Sequence, residues 1–371
     1  MTNLLNLPTA EQFDVQNALL ASIASHVGTN GIAVSNFEDV QRLVRMGLHS
    51  KVFTVGDQFI ADYNNTPVVW DIIGINHDIP TDKRYTNSLT LQAHNCLLDG
   101  QFDAAEALYY AAAELPAGQH VFTDALTNKY KFTTTQVVPV GGQVHISKWS
   151  AVEGETYVPT EITTYAADRI TPIDSALPVS VETVAADTLT PINHYQRCRY
   201  GSNNYVQSAV KQWLNSSAAT FAWSSKTNYD RPPTTAFPTA GFLNLLDADL
   251  AAVIGAVDKQ VAKNTVTDGG DQDLFSDKVF LLSRVEIHGG AEGITTGESA
   301  YKYYSSLAPA PTSGSLAGRI KYLSGSARYW RLRSPSIGYS SNPRHVNMSG
   351  NVSDYTSAVS AIGLAPACVI I

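Results

Sequence analysis

The stretch Tyr329-Trp330-Arg331-Leu332-Arg333-Ser334-Pro335 decides how the rest of the chain is interpreted, because a segment of unusual composition begins with it. Between Tyr329 and Ser357, 13 of 29 residues are Tyr, Ser or Asn, and none is Lys or Glu. In antibody paratopes, which share this composition, Tyr supplies contact area at low entropic cost and Ser and Asn supply adaptable hydrogen bonds. The segment therefore predicts a recognition surface, although a set of Ser- and Asn-rich surface turns explains the same residues equally well.

The chain of 371 residues has a low charge density, because only 16% of its residues are Asp, Glu, Lys or Arg. Soluble domains carry about 25% charged residues, so the composition favours a rigid, β-rich protein of the kind found outside cells. The net charge of −8 at pH 7 argues against a nucleic-acid partner, since binding to phosphate backbones depends on Lys and Arg. We expect neither a nucleic acid nor another anionic polymer as a ligand.

Cysteine spacing and hydropathy restrict the class of protein further. Cys96, Cys198 and Cys368 are widely spaced and form no C-x-x-C pair, which supports neither a zinc knuckle nor a disulfide framework, so we expect buried thiols. The first eight residues lack the basic and apolar regions of a secretory signal. No stretch reaches the ~20 apolar residues of a membrane span. These features predict a soluble protein that is made in a cytoplasm and does not insert into a membrane.

Residues 1–30 are predicted to form an N-terminal helix. Thr9-Ala10-Glu11-Gln12 has the form of a capping box, and the apolar residues that follow share one helical face. Because two or three heptads are marginal alone in water, this face either packs on its own domain or bundles with copies of itself. We favour self-association, with a homotrimer as the expected assembly, and attachment or oligomerisation as the role of the helix.

Residues 31–78 are predicted to form a short helix and the opening hairpin of the C-terminal domain. Ser35-Asn36-Phe37-Glu38 is a second capping box, and it precedes a helix that ends near Gly47. Residues 53–63 and 68–75 then predict two strands joined by a turn, of which the second is buried.

Residues 79–190 are predicted to form a β-rich insertion, because Thr- and Val-rich runs alternate with Gly and Pro turns. Within this range, residues 104–115 predict a helix, and residues 130–138 and 143–149 predict strands. Composition barely changes at either edge, so an independent domain and a segment packed on the rest of the protein are both open interpretations.

Residues 191–371 complete the predicted α+β fold. Residues 208–214 predict a helix with Trp213 on its inner face, and residues 243–254 predict another helix. The apolar run at 279–282 predicts a buried strand, and short strands separated by Gly and Pro turns follow in the Tyr-, Ser- and Asn-rich tail. No repeat of solenoid period is present, which argues against a fibre shaft.

Metal-binding patterns are weak along the chain. His194, His288 and His345 are far apart and form no H-x-x-x-H pair, so we expect no histidine metal site. One group of closely spaced carboxylates resembles part of a calcium loop, namely those of Asp268, Asp271 and Asp273. The Glu required at EF-hand spacing is missing, so a polar loop is the favoured interpretation and structural calcium the weaker one. We expect no other cofactor.

Four basic residues in the tail are candidates for bracing loops or binding a ligand. Arg331 and Arg333 flank Leu332, and the guanidinium fork of Arg333 suits fixed acceptors, so we favour a role for Arg333 in bracing a turn. Arg344 and His345 follow Pro343 on a segment predicted to face solvent. They are the better candidates for ligand contact, with solvated side chains as the alternative.

Several segments occur in the order of an uncharacterised domain that is common in phages and bacteria of the gut. These segments are Tyr200-Gly201-Ser202-Asn203-Asn204-Tyr205, Trp213-Leu214-Asn215-Ser216, Asp277-Lys278-Val279-Phe280-Leu281-Leu282-Ser283, Trp330-Arg331-Leu332-Arg333-Ser334-Pro335 and Gly363-Leu364-Ala365-Pro366-Ala367. The resemblance covers residues 51–78 and 190–371. It departs from the usual W-W-L-R-S-P and G-V-R-P-A patterns at Tyr329, Arg331 and Leu364-Ala365, and the last departure removes an Arg that the family buries.

The resemblance implies a C-type-lectin-like fold, related to formylglycine-generating enzymes and similar to the variable proteins of diversity-generating retroelements. In those variable proteins the C-terminal segment displays diversified side chains on a fixed scaffold and binds a target on a host surface. The matching ligand-binding positions here are Tyr339, Ser340, Asn342, Arg344, His345, Asn347, Ser349, Asn351, Asp354, Tyr355 and Ser357.

The resemblance also implies a bacteriophage virion protein, made in the host cytoplasm and carried on the virion surface. The leading hypothesis is a receptor-binding or adhesion protein of the tail- or head-fibre type, whose C-terminal face meets a bacterial surface protein or glycan. The alternative is a head or tail decoration protein that contacts only other virion proteins. An enzyme of the formylglycine-generating type is disfavoured, because it requires paired cysteines and Cys198 and Cys368 show no pairing in the sequence. We predict no enzymatic activity.

Overall fold

The computed structural model of the protein describes part of the chain, namely residues 32–33, 36–123, 128–151, 157–183, 189, 195–233, 237–294, 296–306 and 317–371. The helix predicted for residues 1–30 lies outside these residues, as does His194. The described chain is mixed α and β and mostly β, which confirms the predicted class at that level. None of its helices is long and apolar enough to cross a bilayer.

The helices of the described chain are short. They are α1 Phe37–Arg45, α2 His49–Val52, α3 Tyr195–Tyr200, α4 Ala209–Leu214, α5 Phe242–Leu245, α6 Ala248–Val253 and α7 Lys302–Ser305, with a 3-10 helix at Ala317–Arg319. Helix α1 begins after Asn36, whose side chain accepts a hydrogen bond from the Glu38 backbone N–H. The short helix predicted to end near Gly47 is confirmed, with its cap at Asn36, one residue later than the capping box places it.

The strands form two larger sheets, two smaller sheets and two separate hairpins. They are β1 Ile32–Ala33, β2 Gln58–Tyr63, β3 Thr66–Ile75, β4 Leu89–Ala93, β5 Leu98–Gly100, β6 Tyr109–Tyr110, β7 Gly118–Thr123, β8 Lys129–Thr134, β9 Gln143–Ala151, β10 Tyr157–Tyr165, β11 Leu177–Pro178, β12 Ser180–Glu182, β13 Val257–Ala262, β14 Gln272–Asp277, β15 Val279–Phe280, β16 Lys321–Leu323, β17 Ser326–Arg328, β18 Trp330–Pro335, β19 Pro343–Val346, β20 Val352–Ser353, β21 Ile362–Leu364 and β22 Ala367–Ile370.

The largest sheet has six strands in the order β1-β2-β3-β4-β22-β15. Strands β2 and β3 form the predicted hairpin, and its turn holds Asn64 and Asn65 at φ values of 49° and 57°. Asn tolerates this left-handed backbone, which two-residue hairpin turns require. At the centre of the sheet, β4 and β22 are buried along their whole lengths. Both faces of the sheet are therefore covered by protein at this point.

The second large sheet has the order β20-β19-β18-β21-β5, and every residue of β18 is buried. Strands β4 and β5 follow each other along the chain but join different sheets, so residues 89–100 connect the two. The predicted insertion of residues 79–190 includes these residues, whereas the structure places β4 in the six-stranded sheet and β5 in the five-stranded sheet. The β-rich part begins only after Gly100, and no change of composition marks that point.

The β-rich unit contains a four-stranded sheet, β11-β10-β9-β6, and a three-stranded sheet, β12-β8-β7. The strands predicted at residues 130–138 and 143–149 are observed as β8, which ends earlier than predicted, at Thr134, and β9. The helix predicted at residues 104–115 is wrong, because only β6 is regular there and the rest is loop. Small apolar side chains of this loop, such as those of Ala107 and Ala111, are buried. Their burial does not depend on a helix with one apolar face.

Two other helix predictions have different outcomes. Helix α4 is confirmed, because Ser208 caps it by accepting a hydrogen bond from the Lys211 N–H, and Trp213 is fully buried. The single helix predicted at residues 243–254 is wrong. Asp247 interrupts it, because its side chain accepts hydrogen bonds from the backbone N–H groups of Asp249 and Leu250 and so caps α6 as a separate helix.

The remaining apolar predictions are confirmed. The run at residues 279–282 is fully buried, and its first half forms β15 against β22. Cys96, Cys198 and Cys368 are buried free thiols. Burial raises the pKa of all three thiols, to about 12 for Cys96, so each stays protonated at neutral pH and contributes by packing.

Candidate functional site

The C-terminal loop face consists of residues 336–342 and 347–357, the segments on either side of β19. The Ser336 N–H donates to the Asn342 carbonyl at 2.8 Å and closes the first segment. The second segment is tied to the first, since Asn342 Nδ2 donates to the Asp354 carbonyl at 2.9 Å and Ser336 Oγ donates to Asp354 Oδ2 at 2.8 Å. The two segments therefore form one surface.

Two tyrosines project from the C-terminal loop face. Tyr339 is 54% exposed and Tyr355 is 92% exposed. A single exposed aromatic side chain is ordinary on a protein surface, but here two share a surface with short polar side chains. This combination of rigid aromatic rings and adaptable hydrogen-bonding groups is the one that antibody paratopes use.

Asn203 holds the first segment, residues 336–342, from the interior of the protein. Its side-chain nitrogen faces three backbone carbonyls, at 3.3 Å from Ser336, 2.6 Å from Tyr339 and 3.2 Å from Asn342. Its own backbone N–H donates to the carbonyl of Ser340 at 3.1 Å. Asn203 is fully buried, so the conformation of the segment is fixed by a group that no ligand reaches.

A buried polar network continues from Asn203 into the β-rich unit. Asn264 donates to Asn203 Oδ1 at 2.8 Å and to Asp268 Oδ2 at 2.9 Å. Arg197 pairs with Asp268 at 3.2 Å and with Glu106 at 2.5 Å. Burial alone would lower the pKa of Arg197, but Glu106 and Asp268 outweigh burial and raise it. The network keeps Arg197 charged and links the loop face to residues before the C-terminal domain.

Arg331 supports the second segment. Its guanidinium donates to the carbonyls of Thr356, Ser357 and Ser360 at 3.3, 2.5 and 2.9 Å, and to the Thr356 hydroxyl at 3.0 Å. The side chain is fully buried, and burial lowers its pKa. An arginine stays protonated at neutral pH even so, and neutral carbonyl dipoles hold this cation in place.

Arg344 connects the loop face to a buried carboxylate. Its Nε and Nη2 donate to Glu292 at 2.6 and 3.1 Å, and its Nη1 pairs with Asp354 at 2.8 Å. Arg284 reaches the same Glu292 at 2.7 Å. The Glu292 side chain is only 2% exposed. Most donors of Arg344 are therefore engaged within the protein, and the residue holds the surface as well as forming part of it.

The family comparison falls on the same part of the chain. Residues 180–371, more than half of the chain, match the family model of a domain of unknown function, DUF6273. The chain belongs to the DUF6273 family. No curated protein and no solved structure matches it. The loop face and the groups that brace it lie within the DUF6273 region, apart from Glu106 at the far end of the network.

The DUF6273 region places the predicted ligand-binding residues at three depths. The exposed ones are Tyr339, Ser349 and Tyr355. Those that are partly exposed are Asn342, Arg344, Asn347, Asn351, Asp354 and Ser357. The buried ones are Ser340 and His345. The structure therefore brings the predicted residues together on one face, but only some of them are accessible to a ligand.

His345 is buried beneath the C-terminal loop face and supports it, so it is not placed to contact a ligand. It is 1% exposed, its Nδ1 lies 2.9 Å from the Thr356 hydroxyl, and its ring meets Tyr329 edge-on. Burial, followed by the charges of Arg331 and Arg344, lowers the pKa of His345 to about 3. The imidazole is therefore neutral at physiological pH.

The carboxylates considered for calcium do not converge in the DUF6273 region. Asp268 is engaged by Asn204, Asn264 and Arg197. Asp273 lies 3.6 Å from Lys263, and Asp271 accepts from the adjacent Gln272 N–H, so each has a local partner. The described residues contain no group of three or more His, Cys, Asp or Glu side chains that could hold a metal ion. The structure thus supplies no observation in favour of calcium.

Asn203 and Glu292 were not identified from the sequence as side chains that hold the C-terminal loop face in place. Asn203 occurs in a motif that was used only for the resemblance, and Glu292 lies in a Gly-rich segment interpreted as a turn. A signal for Glu292 is present in the sequence, since it is an acidic side chain between Gly289-Gly290 and Gly293. No local signal connects Asn203 to carbonyls more than 130 positions away.

Proposed function

We propose that this protein is a bacteriophage virion protein of the tail- or head-fibre type that binds a receptor on the bacterial surface. The C-terminal loop face is the binding surface, presented by a C-type-lectin-like domain. The receptor is a surface protein or a glycan. The protein is made in the host cytoplasm, carried on the virion surface, and attached to other virion proteins or to copies of itself through residues 1–30.

The observation that carries this proposal is the way the loop face is fixed. Asn203 and Arg331 bond mainly to backbone carbonyls, which every residue type offers. Side chains such as Tyr339 and Tyr355 are therefore free for contact and for variation, while the loops that carry them stay in place. A surface fixed before binding loses little conformational entropy when a partner docks.

The chemistry of the exposed side chains suits a protein or carbohydrate partner. Tyrosine rings stack on apolar faces and offer a hydroxyl to polar groups, and Ser349 lies on the same face. Arg344 and Asp354 are paired with each other at 2.8 Å, so the face presents no uncompensated charge there. These properties support a neutral, mixed polar and aromatic ligand surface.

The proposal is tested with fluorescently labelled protein and a panel of gut bacterial strains. We expect selective binding to some strains, and loss of binding in the double variant Tyr339→Ser and Tyr355→Ser. A matched control is Tyr322→Ser, because Tyr322 is 43% exposed but lies on β16, outside the loop face. Circular dichroism and thermal unfolding must show that all variants fold alike.

The outcomes separate adhesion from a decoration role. Binding that survives the double substitution would overturn the assignment of the loop face. An absence of binding to every strain, together with normal incorporation of the protein into particles, would favour a head or tail decoration protein. Arg344 is left intact in this experiment, because its removal would leave the buried Glu292 with fewer partners and disturb the fold.

A further inference from the structure

A cavity of about 570 Å³ opens beside the β13-β14 hairpin. Its walls come from both strands of that hairpin and from the loops that contain His77 and Glu298. None of its lining residues belongs to segments 336–342 or 347–357. The volume falls within the range of small-molecule sites, about 300–1,000 Å³.

The inner wall of the cavity is a buried cluster of charges. Lys259 pairs with Asp78 and donates to Glu286 at 2.8 Å. Arg333 holds the same Glu286 with both arms of its guanidinium, at 2.6 and 2.8 Å. Tyr301 completes the cluster by donating to Asp78 at 2.8 Å. These bonds fix the wall before any ligand arrives.

Among the described residues of this cluster, Glu298 has the least satisfied carboxylate. Its Oε1 accepts from Arg333 at 2.5 Å, and its side chain is only 4% exposed. Its Oε2 is buried, and no donor among the residues that the structure describes meets hydrogen-bond geometry there, although the Ser283 hydroxyl is close enough to lower the pKa of this carboxyl. A buried acceptor without a partner is costly, so a ligand that donates a hydrogen bond here would relieve a deficit of the unliganded protein.

The charges of the inner wall favour a cation as that donor. Three carboxylates, those of Asp78, Glu286 and Glu298, face two cations, Lys259 and Arg333. With all five groups ionised, the wall carries one excess negative charge. Burial raises the pKa of Glu298 and works against its charge, whereas Arg333, the next largest influence, lowers the pKa and favours the carboxylate. A cationic donor would satisfy the unpartnered oxygen and balance the charge.

The rim of the cavity is apolar and accessible. Leu274 is 75% exposed and Ile79 is 63% exposed, and both line the opening. A ligand that reaches Glu298 with a polar head would place an apolar body against these side chains and remove them from water.

We propose that this cavity binds a small ligand with a protonated amine on an apolar body. The ammonium group donates a hydrogen bond to Glu298 Oε2, and the apolar part packs on Leu274 and Ile79. This site is separate from the receptor-binding face, so neither proposal depends on the other.

The test is calorimetric titration of the full chain with benzylamine, beside benzyl alcohol as a neutral ligand of the same shape. We expect saturable binding of benzylamine in the range of about 1 mM, as befits so small a probe. Benzyl alcohol should bind at least about tenfold more weakly, since it lacks the charge that strengthens a hydrogen bond to a carboxylate. Equal binding of the two probes would overturn the assignment to amines.

Two variants assign the binding to this cavity. Glu298→Gln removes the negative charge at nearly constant volume and should weaken benzylamine at least about tenfold. Leu274→Ser should weaken it by about two- to fivefold by removing apolar contact. Val181→Ser is the matched control, because Val181 is 68% exposed on a strand that does not line the cavity.

Each result supports or overturns the proposal. Unchanged affinity in Glu298→Gln, or no saturable binding up to about 10 mM, rejects it. If Glu298→Gln fails to fold, the comparison of Leu274→Ser with Val181→Ser decides the location, and the two probes decide the chemistry. Equal affinities of the Leu274→Ser and Val181→Ser proteins would then contradict the site.

Discussion

Arg331 and Arg333 lie two positions apart on β18, and they hold two different regions of the molecule. Arg331 reaches the C-terminal loop face, where its partners among the described residues are carbonyl and hydroxyl oxygens. Arg333 reaches the cavity and is paired with Glu286 and Glu298. Both side chains are fully buried, yet burial lowers the pKa of Arg331, whereas the two glutamates outweigh burial and raise the pKa of Arg333.

The contrast shows two ways to stabilise a functional region. Carbonyl dipoles hold the loops by their backbone, so the displayed side chains at positions such as Tyr339 are not part of the support. Carboxylates hold the cavity wall by its side chains, so a change in any one member leaves an unpaired charge in the interior. The loop face should therefore tolerate substitution, and the cavity wall should not.

The largest expected effect is that of Arg333→Met. The substitution leaves Glu286 and Glu298 buried without their main cation, and removal of one partner from a buried ion pair costs about 3–5 kcal/mol. Urea unfolding followed by circular dichroism measures the loss. If Arg333→Met lowers the free energy of unfolding by less than Arg331→Met does, the proposed difference between the two arginines is wrong.

Arg331→Met should have a smaller effect, about 1–3 kcal/mol. The substitution leaves partly buried carbonyls without donors but leaves no carboxylate unpaired, and it removes a cation that is costly to bury. Amide hydrogen exchange should become faster in residues 356–360, since these form the segment that Arg331 holds. Unchanged exchange there would show that Arg331 does not fix the loop.

Acid should weaken the support of the loop face through His345. Its pKa in the fold is about 3, below the ordinary value of 6.5, so the unfolded chain takes up a proton first as the pH falls. Between about pH 7 and pH 5.5 the resulting loss of stability is about 1 kcal/mol. His345→Asn should lack this part of the pH dependence, which paired unfolding curves at the two pH values measure. Identical slopes for the two proteins would contradict the prediction.

The smallest effect on stability is expected for Tyr355→Ser. Tyr355 is 92% exposed, so the free energy of unfolding should change by less than about 0.5 kcal/mol. The same substitution should reduce binding to bacterial cells, which a cell-binding titration quantifies. A large loss of stability would show that Tyr355 packs in the folded protein and is not a displayed side chain.

Some helices and turns could be located from residues that are close together in the sequence. The helical pattern at residues 208–214, with Trp213 on its inner face, was enough to locate α4, and the turn predicted at residues 64–67 is observed at Asn64 and Asn65. The prediction failed at residues 243–254, because Asp247 is itself a capping residue and the apolar pattern continues across it. It also failed at 104–115, where tertiary packing outweighs helix propensity.

The sequence predicted which segment forms the candidate site, but not which of its side chains are exposed. Composition and resemblance pointed to the correct segment for a surface with exposed tyrosines, yet Ser340 and His345 proved to be buried within it. Whether a side chain in a short loop points outward depends on partners far along the chain. The charged cavity was missed for the same reason, since Asp78 and Lys259 are 181 positions apart.

The contacts of Asn203 with residues 336–342 also bear on how fast the protein folds. They join positions separated by 133 to 139 residues, and contacts of such long range slow folding because a long loop must close before they form. The loop face should accordingly be among the last regions to become ordered. A folding intermediate in which the two large sheets are already buried would therefore still lack an ordered loop face.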